Sequence, residues 1–174
     1  MQKGLIFSNQ LALFGDPDII GYSNGNMYVK EIERDKACKT IIKHHYSHKI
    51  YAASFIHLGV YDKDDKFVGV LQYGSAMNPA SGGSVVEGTE IDNFLELNRM
   101  WLDDCAGRNS ESQAISCSIT YIKHRYPKVN GFSRSQTSVA IASASSIKHV
   151  VSTTTANILT SSGIWMVSPI TTST

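Results

Sequence analysis

A chain of 174 residues is long enough for one α/β domain with a core of its own. With 42% hydrophobic and 18% charged residues it reads as an ordinary globular protein, neither disordered nor fibrous. A formal net charge of +1 excludes a global basic field, and three cysteines without CxxC spacing argue against a disulfide framework and a structural zinc site.

In chain order, residues 1–26 show no clear period and carry turn signals at Gly15–Asp18 and Ser23–Asn26. The N-terminus makes a poor signal peptide, and no apolar run approaches the ~20 residues needed to span a bilayer. A cytoplasmic protein without membrane contact is expected. Met27–Ile32 predicts a first strand. Asp35 predicts the cap of a helix running to about Tyr46, with Ala37, Ile41 and Ile42 on its inner side. Ser54–Tyr61 and Phe67–Tyr73 predict strands around a polar hairpin loop. Residues 78–89, rich in Gly, Ser and Pro, predict a mobile surface loop.

Phe94–Trp101 predicts another strand, whose alternation puts Arg99 on one face with Leu95, Leu97 and Trp101. A helix follows, with capping-box spacing at Ser110 and Gln113 and Asn109 as a further cap. Its apolar positions are Ile115, Ile119, Ile122 and Tyr126, and Pro127 ends it. The order strand, helix, hairpin, strand, helix predicts an α/β fold with a mixed, largely antiparallel sheet flanked by helices.

Three segments could carry chemistry. The helix start Arg108–Ser112 could attract phosphate through unpaired N–H groups, Arg108 and two serines. Glu111 has the wrong sign for that, and an ordinary capped helix is the competing reading. Lys43–His48 offers a histidine, His45, as a base near neutral pH beside a phenol, Tyr46. His44 and His48, four apart, have helical metal-ligand spacing, but a solvated polar helix end fits as well. The nearby cations Lys39, Lys43 and Lys49 make the one local basic patch. Arg99 among apolar neighbours calls for a carboxylate or a ligand as partner.

Taken together, His45-Tyr46-Ser47, Leu58-Gly-Val60, Gly69-Val-Leu-Gln-Tyr-Gly74, Gly88-Thr89, Phe94-Leu-Glu-Leu-Asn-Arg-Met100, Asp103 and Asn109-Ser-Glu-Ser112 resemble the Mom family of bacteriophage DNA modification proteins. The resemblance runs from about Lys36 to Gly131. It implies an acetyltransferase-like fold and conversion of adenine in double-stranded phage DNA to a carbamoylmethyl form that evades host restriction, inside the bacterial cell. It implies catalytic roles for His45 and Tyr46. An acyl-CoA-like donor, first of all acetyl-CoA, would be bound by Arg99, Arg108, Asn109, Ser110 and Ser112. Iron is implied by the resemblance alone. A conventional acyl-CoA-dependent N-acetyltransferase and a non-catalytic remnant that binds acyl-CoA or nucleic acid are the alternatives.

From Gly131 the family pattern stops, which divides the chain into an acetyltransferase-like domain at 1–130 and an aberrant Ser/Thr-rich tail at 131–174. The tail has no Asp or Glu, so the aspartate that the family places there is missing. Triplets begun on the last base of each codon can read Ile-Phe-Ser-Phe-Ala-Asp across Gly131–Thr137. Trp165-Met-Val167 must then read Asp-Gly. A frameshifted, inactivated C-terminus with a loosely attached tail is therefore expected.

Overall fold

The computed structural model describes residues 2–8, 18–76, 93–129, 131–134 and 164–166. An eight-stranded sheet runs in chain order: β1 (Gly4–Phe7), β2 (Ile19–Ser23), β3 (Met27–Glu31), β4 (Ser54–Asp62), β5 (Phe67–Gly74), β6 (Phe94–Leu102), β7 (Gly131–Arg134) and β8 (Ile164–Met166). Every neighbouring pair is antiparallel except β6 and β7, which run parallel. Helix α1 (Arg34–His44) joins β3 to β4, and helix α2 (Ser110–Arg125) is the crossover that the parallel pair requires. This is the expected mixed, largely antiparallel sheet with flanking helices.

The helices cover opposite faces. Val70 of β5 packs with Ala37 and Ile41 of α1, while its neighbour Leu71 joins the cluster containing Ala114, Cys117, Tyr121 and Ile122 of α2. Successive strand residues point to opposite faces, so α1 and α2 are separated by the sheet. The larger core lies on the α2 side, where Met27, Val29, Leu58, Val60, Tyr73, Leu95 and Leu97 meet that helix. Each such apolar side chain contributes roughly 1.5–3 kcal/mol by leaving water.

In β6 the pairing jumps from Gln72↔Arg99 to Tyr73↔Leu97, so Asn98 is an inserted residue. A bulge of this kind reverses the facing of everything beyond it. Leu95 and Leu97 face α2, and after the bulge Met100 and Leu102 continue that face. Trp101 packs instead with the α1 cluster. The expectation that Arg99 shares a face with Leu95 and Leu97 is therefore corrected.

Other expectations shift by smaller amounts. Helix α1 starts after Glu33 and ends at His44, with Asp35 inside its first turn and His45 as its C-cap. Ile42, expected inside, is 49% exposed, because Ala37 and Ile41, four apart, form the inner ridge and Ile42 lies a further 100° around the helix. In α2 the buried stripe is Ala114, Cys117, Ser118, Tyr121 and Ile122, with Ile115 and Ile119 at its margin. Asn109 occupies the cap position at φ 64° without a side-chain capping bond, and Gln113 accepts from Asn24 at 3.4 Å instead of closing a capping box. The aperiodic N-terminus holds β1 and β2. Gly25, at φ +93°, turns the chain between β2 and β3 where the Ser23–Asn26 signal predicts it. The 78–89 loop lies outside the described residues, and of the tail only β7 and β8 are described. Among the described residues no helix is long and apolar enough to cross a membrane.

Candidate active site

Helix α1 ends against β6. His44 stacks on Trp101 with ring centroids 4.3 Å apart, which holds the helix terminus over the strand. The chain then folds back: His48 adopts φ 48° and its Nδ1 lies 2.8 Å from the Ile42 carbonyl oxygen. Because the helix ends at His44, the four-residue spacing of His44 and His48 is not a helical spacing here, and their rings serve separate contacts. Among the described residues no group of three His, Cys, Asp or Glu could hold a metal ion.

His45 sits in this corner at 3% exposure, with Tyr46 beside it at 49%. Their rings are 4.3 Å apart and tilted by 31°. The Ser47 backbone N–H donates to His45 Nδ1 at 3.1 Å, and Ser47 Oγ is 2.8 Å from the same nitrogen. A backbone amide can only donate, so Nδ1 carries the lone pair and the neutral ring holds its proton on Nε2. Burial lowers the His45 pKa below 6.5, and the charges of Arg99 and then His48 push in the same direction. The imidazole is therefore neutral at pH 7. This arrangement suits a hydrogen-bond donor at Nε2 better than the proton acceptor that the residue type suggests. Tyr46 presents a half-exposed phenol, able to give or take a proton at the surface.

Arg99 stands on the same face because of the Asn98 bulge. Its Nε donates to the Lys49 carbonyl at 3.2 Å and its Nη1 to the Asn98 carbonyl at 2.7 Å. Where a carboxylate or a ligand was expected, its partners among the described residues are two backbone carbonyls. Those bonds tie β6 to the segment after His45, and the guanidinium's positive charge acts on the imidazole.

The structure brings His45, Tyr46 and Arg99 together, and sets the α2 start apart from them on the other face. Arg108 and Asn109 are exposed there and Ser112 is half-buried. Ser110 is only 5% exposed, and its N–H bonds to the Gly107 carbonyl at 3.3 Å. The link between the two groups is β6 itself. Trp101 carries His44, and Asp103, whose carboxyl is held below its ordinary range mainly by Cys105, also feels the His44 charge.

Sequence reasoning left Ser47 and Asn98 without roles, although both fall inside the motifs it singled out. A small polar residue two positions after a histidine was the available signal for the first. A polar residue between two apolar runs was the signal for the second.

The sequence model of the Mom protein family matches residues 26–133. That range contains every one of these groups. Methylcarbamoylase mom of Escherichia phage Mu is 41% identical to the chain over 128 residues, which are 74% of this chain and 53% of that protein. The chain thus spans about half the length of the curated relative it matches.

Proposed function

Because the chain belongs to the Mom protein family, we propose that it modifies adenine in double-stranded DNA to a carbamoylmethyl form, on an acetyltransferase-like framework. The observation that carries this reading is the His45–Tyr46 pair, locked by Ser47 and adjoined by Arg99, within the family-matched region. His45 donates from Nε2 to an oxygen on the reacting group. Arg99 favours negative charge developing there, and a low-dielectric corner strengthens both effects. Tyr46 carries a proton between the adenine amine and solvent.

An acyl-CoA-like donor would supply the two carbons of the group but not its amide nitrogen, so an amine-class co-substrate is required as well; attack on the donor's acyl carbon alone would release the thiol and leave an N-acyladenine. The α2 start fits the donor's phosphates in part: Asn109 leaves the first turn without a side-chain cap, Arg108 is exposed, and Gly107 has open space around it. Ser110, largely buried, would support this turn from beneath, and Ser112 would add a hydroxyl. Such a donor must reach from one face of the sheet to the other past the carboxyl end of β6. The described residues do not fit an iron centre, and no step here depends on one.

Mass spectrometry of nucleosides from DNA co-expressed with the protein tests the reading. A carbamoylmethylated adenine supports it. Unmodified DNA together with transfer of label from acetyl-CoA to protein would favour a conventional N-acetyltransferase instead.

A second reading, an inactivated remnant that still binds acyl-CoA or DNA, is favoured by one observation. The family match ends at Ser133, and the rest of the chain has no carboxylate side chain to orient a catalytic group. The gene's nucleotide sequence decides it. A shifted frame that encodes Ser-Phe-Ala-Asp after Gly131 identifies a frameshifted tail, and a frame that does not rules this out.

A further inference from the structure

From Lys36 to Tyr61 the sequence contains no Asp or Glu, yet it carries Lys36, Lys39, Lys43 and Lys49 and four histidines. Lys39, Lys43 and Lys49 are all exposed, and Arg99 bonds to the Lys49 carbonyl. A chain of net charge +1 thus gathers cations around the end of α1 with no acidic residue in the same stretch of sequence, Asp103 of the segment after β6 facing His44.

The same stretch gathers apolar surface. Of the five large hydrophobic residues exposed among the described residues, four lie here: Ile42 at 49%, Tyr46 at 49%, Ile50 at 42% and Phe55 at 58%. Ile42 and Ile50 flank Tyr46 at four residues on either side, and the backbone between them folds back through the His48 bond to Ile42. Exposed apolar side chains scattered singly need no account, but several of them interleaved with cations along one folded-back stretch mark a contact surface.

We infer that this surface is where duplex DNA docks, with Lys39, Lys43 and Lys49 on phosphates and Ile42 and Ile50 bearing on the stack from which the target adenine is turned out towards Tyr46. The inference rests on the adenine-modification reading and adds the face, the contacts and the need for extrusion. Lysines alone would suffice for phosphates, so the apolar residues need a second purpose. An adenine amine inside a duplex cannot reach a phenol set against a protein corner, and apolar side chains can fill the gap that its removal leaves. An anionic membrane would also accept cations around apolar side chains. Buried His45 and half-exposed Tyr46, in the same stretch of chain, favour the substrate that they act on.

The test uses the full chain and a 20-base-pair duplex carrying 2-aminopurine in place of one adenine, read by anisotropy and base fluorescence over a range of salt. The wild type is expected to bind with a steep salt dependence and to raise 2-aminopurine fluorescence. Lys43→Gln and Lys49→Gln should each weaken binding several-fold and reduce the salt slope by about 1. Lys128→Gln, beyond the α2 end, should change neither. Ile42→Ser with Ile50→Ser should keep affinity within about twofold and remove the fluorescence rise. Wild-type binding by both lysine variants, equal loss in Lys128→Gln, or preferential binding of the wild type to phosphatidylglycerol vesicles over the duplex would overturn the inference. So would a fluorescence rise that survives in the isoleucine double variant. Nucleoside analysis separates the two levels: binding through this face without altered adenine sinks the proposed activity alone, and altered adenine with indifferent lysines sinks the docking face alone.

Discussion

Ser54 donates its hydroxyl to Asn98 Oδ1 across 2.9 Å, and this bond joins the irregularity in β4, between Ser54 and Ile56, to the bulge in β6. Asn98 is fully buried and also donates from Nδ2 to the Ser75 carbonyl at 3.3 Å. Gly74 lies between them, where a Cβ would meet the Ala53 carbonyl at 2.1 Å. The placement of Arg99 and Trp101 on the α1 face depends on this small polar group.

Asn98→Ala should therefore cost on the order of 1–3 kcal/mol, since it strips a buried hydroxyl of its acceptor and a carbonyl of its donor. Thermal unfolding measures the loss. Combining it with Ser54→Ala should cost clearly less than the sum of the single variants, because both remove one bond. Additive losses would mean that the two bulges are independent.

At the candidate site, Tyr46→Phe should leave the melting temperature nearly unchanged, because the residue is 49% exposed, and should abolish adenine modification. His45→Ala should abolish it as well. His45→Gln, whose amide N–H can reach towards the Nε2 position, should retain part of the activity if the ring acts as a donor. Equal loss in both His45 variants would count against the donor role.

Acid should destabilise the fold. His45 and His57 both have pKa values lowered from 6.5, chiefly by burial, with the charge of Arg99 acting on the first and Arg34 on the second. The unfolded chain takes up these protons first, so the stabilisation is complete above about pH 6.5 and declines as pH falls towards the folded-state values. His57 Nε2 and Gln72 Oε1 are buried without hydrogen-bond partners among the described residues, so a charge there is poorly tolerated. Melting temperatures between pH 8 and pH 5 should fall, and His57→Gln should flatten the curve.

Tyr73 Oη lies 2.6 Å from Ser118 Oγ inside the larger core, and Ser118 in turn donates to the Ile115 carbonyl. Ser118→Ala leaves a buried phenol without its acceptor and should cost about 1–3 kcal/mol, while adding Tyr73→Phe should recover part of that loss. Denaturant midpoints of the three variants check it.

The central strands and both helices were legible because their apolar spacing is long enough to repeat. Strands β1 and β2 were not, since four and five residues with mixed exposure carry too short a pattern. The facing of Arg99 was misread for a different reason. Strict alternation cannot register an inserted residue, and Asn98 differs from an ordinary strand position only in what it bonds to. His45 and Tyr46 stood out by residue type and motif. The tautomer of His45 did not, because it is set by a main-chain amide, which every residue but proline possesses.

The three-residue step from Leu97 to Met100 along the α2 face makes β6 a strand with two halves of different duty. Deleting Asn98 would leave both rows where they are, with Arg99 directly after Leu97, whereas flattening the bulge with Asn98 in place would exchange the two rows beyond it. A guanidinium would be driven among the leucines, and a methionine turned towards the imidazole. One bulge in the chain thus decides whether the same side chains build the interior or the reactive corner, and a strand that kept Asn98 in plain register would swap the two.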